Sequence, residues 1–208
     1  MSNPARRILN DYYPTPTPIT DLLLGQTNIR GSVFEPCAGH NAITKVLANW
    51  SLITSVSASD LLWDITEGHT TNDATTSVFW SEWGVHSWII TNPPFSEAEQ
   101  ILPLAFEHCN HGVAFLLRLS YLEPCNGRGN WLRDHADHLK QVIVVNPRIK
   151  FRADTKGTDS VTCAWFIWDK RFSWDALGVH CPFIFASNWQ EVTAEVGLKL
   201  ASKESRCC

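Results

Sequence analysis

Apolar and polar positions along the chain follow two periods. GSVFEPC (31–37), LITSVSASD (52–60) and SWIITNPP (87–94) read as strands ending at Pro36, Asp60 and the double proline, and GVAFLLRL (112–119), QVIVVN (141–146) and VTCAWFIW (161–168) are continuous apolar runs of strand length. Helical spacing marks AITKVLANW (42–50) and SEAEQILPLAFEHC (96–109). In the second of these, Ser96 with Glu99 three residues on forms a capping-box pattern, while Pro103 is out of keeping with a helix interior. Pro14, Pro16 and Pro18 hold an extended lead-in, and a short amphipathic helix opens at Thr17 or Pro18, since proline is tolerated in a first turn. Two polar stretches, 119–140 and 147–160, read as rim loops, the first with a helix. The tail beyond about 195 reads as frayed.

Strands apolar on both faces and alternating with helices indicate a largely parallel sheet covered on two sides. The expected architecture is one doubly wound α/β domain over 1–208. In such sheets ligands bind at the carboxyl ends of the strands. The residues at those ends are Glu35, Cys37, Ala38, Gly39, Asp60 and Asn92.

Composition narrows the classes. Hydrophobic residues make up 44% and charged residues 18%, enough for a full core. Ten Trp are expected as core or interface anchors. The net charge of −4 does not announce a nucleic-acid binder, although a local basic rim is compatible with it. Cys37, Cys109, Cys125, Cys163, Cys181, Cys207 and Cys208 are odd in number and form no C-x-x-C pair, so reduced thiols in a cytoplasm fit better than disulfides or a zinc site. The terminal Cys207-Cys208 lacks the C-a-a-X form. No long apolar run occurs, so neither a membrane span nor a signal peptide is expected. No metal site is expected, and His108 and His111 in HCNH read as helix-end or surface residues.

Three motifs carry chemistry. In FEPCAGHNAI a strand ends in an acid, small residues follow, and a helix begins; Gly39 can take a positive φ, and the helix start offers N–H groups to an anion. Asp60 closes the next strand about 20 residues on, the place of an acid that accepts ribose hydroxyls, and it also reads as a helix cap ahead of LLWDI. In TNPPF, the oxygen of Asn92 and the carbonyl of Pro93 form a rigid pair of acceptors suited to an amine, and Phe95 offers a face to a flat ring.

Together with YYPTP ahead of them, EPCAGHNAI, Asp60 and TNPPF resemble S-adenosylmethionine-dependent methyltransferases of the amino-methylating group, in particular phage- and plasmid-type DNA N6-adenine methyltransferases. The resemblance spans roughly residues 10–170, and the motif order is similar to the gamma arrangement. It implies a Rossmann-like class I methyltransferase fold, seven-stranded and mostly parallel with one antiparallel strand and helices on both faces. It implies S-adenosylmethionine as cofactor. Tyr13, Pro14 and Thr15 would line its methionine end, Glu35, Pro36, Ala38 and Gly39 its amino-acid part, Asp60 its ribose and Asp73 its adenine amine. The strand around Asp73 is poorly marked. Asn92 and Pro93, stiffened by Pro94, would grip the target amine, with Phe95 and Phe151 on the two faces of a flipped base. Arg128, Arg148, Lys150 and Arg152 would contact nucleic-acid phosphates, DNA being favoured over RNA.

The sequence departs from the pattern twice. The usual G-x-G turn is here Gly39-His40-Asn41, in which asparagine tolerates left-handed backbone and His40 reads as lining or capping the pocket. Only 119–140 and 169–208 are available for target recognition. Base-amine methylation of RNA (adenine N6 or guanine N2), methylation of a protein glutamine, and a non-catalytic nucleic-acid-binding module remain alternatives. Oligomeric state is not legible.

Overall fold

A computed structural model describes residues 14–123, 125–151 and 161–185. Thr17–Gln26 forms α1, with Pro18 in its first turn. Then follow β1 (Gly31–Glu35), α2 (Ala42–Leu47), β2 (Ile53–Ala58), α3 (Ser77–Trp83), β3 (His86–Thr91), α4 (Ala98–Glu107) and β4 (Cys109–Arg118). Beyond a 3-10 turn at Leu119–Leu122 come α5 (Asn126–Asp134), a second 3-10 turn at Ala136–His138, β5 (Leu139–Val144) and β6 (Cys163–Asp169). The expected rim stretch 119–140 thus holds a helix, and 147–151 is irregular, with 152–160 and the tail beyond 185 outside the described residues.

The strands form one sheet in the order β2-β1-β3-β4-β6-β5. β2, β1, β3 and β4 pair in parallel, and β6 runs antiparallel between β4 and β5. The expected seven strands are six among the described residues. Residues 61–76, between β2 and α3, are turns. There the side chains of Asn72 and Asp73 bond nearby groups: Asn72 Nδ2 donates to the Trp63 carbonyl (3.0 Å), and Asp73 Oδ1 accepts from the Thr75 N–H (2.9 Å). Such local bonds compete with a strand ladder.

Side chains alternate across the sheet as strand geometry requires. Phe34, Ile89, Val113, Phe115, Phe166 and Trp168 face one core cluster with α3, α4 and α5. Val33, Trp88, Ile90, Leu116, Trp165 and Ile167 face the other, with α1 and α2. α1 is further tied to the sheet where Trp165 Nε1 donates to the Ile19 carbonyl (2.8 Å).

One helix starts later than expected, and another was not expected. α4 starts at Ala98, with Glu97 as its N-cap, and the Ser96 capping box does not form. A turn in which the Glu97 N–H donates to the Pro94 carbonyl (3.0 Å) places Ser96 before the cap. Pro103 sits inside α4 nonetheless. α3 was not legible from the spacing. Its signals are Thr76, whose side chain accepts from the Phe79 N–H, and Gly84, which ends it at φ 69°. No helix among the described residues is long and apolar enough to cross a membrane.

Candidate active site

The carboxyl ends of β1, β2 and β3 lie side by side, and the sequence motifs meet there. After β1 the chain turns with Gly39 at φ 51° and Asn41 at φ 61°. Asn41 therefore takes the left-handed conformation that the second glycine of the usual turn would take, as asparagine can. The turn is stitched to the end of β2. Ala38 N–H donates to the Ser59 carbonyl (2.9 Å), and Gly39 N–H donates to Asp60 Oδ2 (2.7 Å). Asp60 Oδ1 accepts from the Leu62 N–H (3.0 Å), so Asp60 caps two turns at once. Trp63, unremarked in the sequence, donates its indole N–H to the Gly39 carbonyl (3.0 Å).

Glu35 is 1% exposed. Its Oε2 accepts from the Thr44 N–H (2.7 Å) and from the Thr44 hydroxyl. The first-turn N–H expected to greet an anionic ligand is thus taken by the chain's own acid. Glu35, Asp60 and Asp73 have no cationic side chain paired to them among the described residues. The nearby Lys45 reaches only the His40 carbonyl (3.3 Å). The unpaired Asp60 and Asp73, with Glu35 beside them, fit a ligand that carries positive charge and hydroxyl groups, as S-adenosylmethionine does. The Cys37 thiol is pushed up by burial, which argues against a thiolate nucleophile.

Burial pushes the Glu35 carboxyl up to about 8; Thr44 opposes the rise and the charge of Asp60 adds to it. The folded chain then binds this proton more tightly than the unfolded chain. The resulting stability is full below the unfolded value of 4.5 and is lost as pH rises through about 8. Glu35→Gln keeps the shape of the neutral acid and removes the titration. Between pH about 5.5 and about 8.5, the ligand-free wild type should lose roughly 5 °C more in melting temperature than the variant does. Parallel melting profiles would contradict the assignment.

At the end of β3, Asn92 Nδ2 donates to Thr15 Oγ1 (3.1 Å), and Thr15 is 5% exposed. This bond joins the proline-rich lead-in to the candidate clamp. Pro93 is buried and Pro94 half-buried. Phe95 packs against the cluster that contains Ile149, Phe151 and Trp165. Phe151 is 7% exposed and lies within that cluster, while Arg148 and Lys150, on either side of buried Ile149, are exposed. Pro36 and Ala38 are buried behind the turn, and Pro14 is exposed. Tyr13 and Arg152 lie outside the described residues.

Arg128 is held by Glu99 (2.8 Å) and donates to the Glu123 carbonyl (2.7 Å). Arg118, which sequence spacing did not single out, places its Cζ 4.7 Å from the Phe95 ring centroid. A larger cavity of about 690 Å3 opens at the opposite end of the sheet, beside Arg30, Lys140, Asp169 and Arg171. Its Asp169 is ion-paired to both Lys140 (3.2 Å) and Arg171 (2.9 Å), and with Arg30 the cavity carries three cations against this one carboxylate.

No family model matches the chain, and no curated protein sequence matches it. Solved structures do match. The Type I restriction enzyme EcoKI M protein aligns with TM-score 0.56 and 16% identity over 77% of this chain and 44% of that one. A protein from Vibrio vulnificus YJ016, described as a modification subunit of a type I restriction enzyme, aligns with TM-score 0.55 and 11% identity over 78% and 45%. TrmN from Thermus thermophilus aligns with TM-score 0.51 and 20% identity over 74% and 48%. The chain spans less than half the length of each of these structures. At such identities the likeness concerns the fold alone: a mixed α/β sheet that, among the described residues, has six strands with one of them antiparallel.

Proposed function

We propose that the chain is an S-adenosylmethionine-dependent methyltransferase that acts on the N6 amine of adenine in DNA, with the target base flipped out of the duplex. The observation that carries this proposal is the clamp: Asn92, Pro93, Pro94 and Phe95 follow β3 directly, and a buried hydroxyl, Thr15, holds the amide of Asn92. The fold of the matched structures supports the same reaction class.

The cofactor would supply a methyl group on a positively charged sulfur. Glu35, Gly39 and Asp60 would hold it at the ends of β1 and β2, with Pro14, Thr15, Pro36, Ala38 and Asp73 around it. Asn92 Oδ1 and the Pro93 carbonyl accept the two N–H groups of the target amine. This aims the nitrogen lone pair away from the base plane and toward the methyl, so that catalysis comes mainly from orientation. Phe95 supplies the stacking face that replaces the neighbours the base loses on flipping. Arg148 and Lys150, exposed beside Phe151, would meet the nucleic-acid backbone.

Calorimetry with S-adenosylhomocysteine tests the cofactor half of the proposal. Wild type should bind, and Asp60→Ala should bind about tenfold or more weakly, because two backbone N–H groups of the turns lose their acceptor. No heat with the wild type would instead favour a non-catalytic module of the same fold. An unchanged dissociation constant in the variant would remove Asp60 from the site.

A further inference from the structure

One cation beside the clamp has no part in the scheme above. Arg118 ends β4, the neighbour of β3. The parallel register pairs Thr91 with Phe115, so the chain brings Arg118 level with Pro94 and beside Phe95. Its guanidinium lies over the Phe95 ring, the side chain is exposed, and among the described residues it has no hydrogen-bond or ion-pair partner.

A cleft of about 270 Å3 opens there, walled by Phe95, Ser96, Leu117, Ser120, Tyr121 and Arg128 besides Arg118 itself. Arg128 lies over the Tyr121 ring at 5.0 Å, and Glu99 answers its charge. The uncompensated charge of the cleft is therefore that of Arg118. A lone cation on an aromatic face, at the mouth of a cleft in a chain of net charge −4, is placed to receive an anion.

Resting on the role proposed for Phe95, we infer that this cleft binds a phosphodiester of the target strand and that Arg118 holds the place of the target base until the strand arrives. In the ligand-free chain the guanidinium covers the ring face that a flipped base needs. When the base takes that face, Arg118 leaves it for the phosphate next to the base. The exchange is favoured because a guanidinium is held weakly on an exposed ring, whereas a stacked base and a charge-assisted phosphate contact are both stronger. A nucleotide carries its flat ring and its phosphate on one short unit, so a single strand delivers both groups to one place. An acidic peptide brings the anion without the ring.

The test is binding of a short fluorescein-labelled DNA duplex, one adenine of which faces an abasic site, to wild type, Arg118→Gln and Arg118→Lys across a salt series. Thermal melting of each variant checks the fold. Arg118→Gln should bind about tenfold more weakly at low salt, and its dependence of log affinity on log salt should be shallower by about one phosphate contact. Arg118→Lys should keep the wild-type salt dependence, since it keeps the charge. Wild-type affinity and salt dependence in Arg118→Gln would overturn the inference alone. A wild type that binds no DNA would overturn it together with the proposed function.

Discussion

Asn92→Ala is expected to lower kcat for base methylation by about 10²–10³-fold or more, the scale of removing one preorganised hydrogen-bonding group from a transition state. Binding of S-adenosylhomocysteine should change by no more than about twofold, because the proposal places Asn92 at the target amine rather than at the cofactor. The structure gives this expectation a local basis. Asn92 is the first residue beyond β3, and its Nδ2 is tied to the buried Thr15. The amide is therefore restrained before substrate arrives. Asn92→Asp keeps an acceptor but loses the donor to Thr15, so it should recover only a small part of the rate. A wild-type rate in Asn92→Ala would show that the clamp does not act on the amine.

Gly112→Ala is expected to destabilise the fold by about 3 kcal/mol or more. A Cβ at Gly112 would lie 2.1 Å from the Trp168 carbonyl oxygen and 2.9 Å from the Trp88 ring. The first of these is backbone of β6, which is buried along its whole length between β4 and β5. Neither strand can move aside without breaking its other ladder, and both large indoles are already packed. Urea unfolding monitored by Trp fluorescence measures the cost. A loss below about 1 kcal/mol would mean that β4 and β6 are not apposed as described.

Much of this arrangement was legible in the chain. The strand runs mark all six observed strands. The inner ones, β3, β4 and β6 above all, are buried on both faces and leave little room for polar residues, whereas the edge strand β2 is Ser- and Thr-rich and was marked by alternation and by Asp60 at its end. The apolar run placed at 112–119 corresponds to Cys109–Arg118, the difference being the polar Asn110 and His111 at its start. The end of β3 could be read in advance because proline cannot continue a ladder and Asn92 stands directly before two of them.

Other features depended on tertiary contacts. A seventh strand was expected from resemblance, yet residues 61–76 are rich in groups that bond their own neighbours, as Asp73 and Asn72 do. α3 is short, and SVFWSEW mixes a β-branched residue with three aromatic ones, so its helical period is masked. Arg118 and Phe95 are brought together only by the β3–β4 register, and nothing in their separate surroundings announces the contact. Glu35 and Asp60 were read as ligand-facing acids. The structure also gives each a partner within the chain, in Thr44 and in the Gly39 turn. Those bonds fix the orientation of both side chains at the ends of their strands.

The central claim is that this clamp methylates the exocyclic amine of adenine in DNA. The most direct measurement is nucleoside mass spectrometry after incubating the chain with S-adenosylmethionine and, separately, duplex DNA, single-stranded DNA and total RNA, with Asn92→Ala alongside. N6-methyladenine in DNA, absent from the variant, is the predicted result. Methylated bases in RNA alone would keep the clamp and contradict the substrate, and no methylated base in any nucleic acid, with the cofactor bound, would contradict the claim itself.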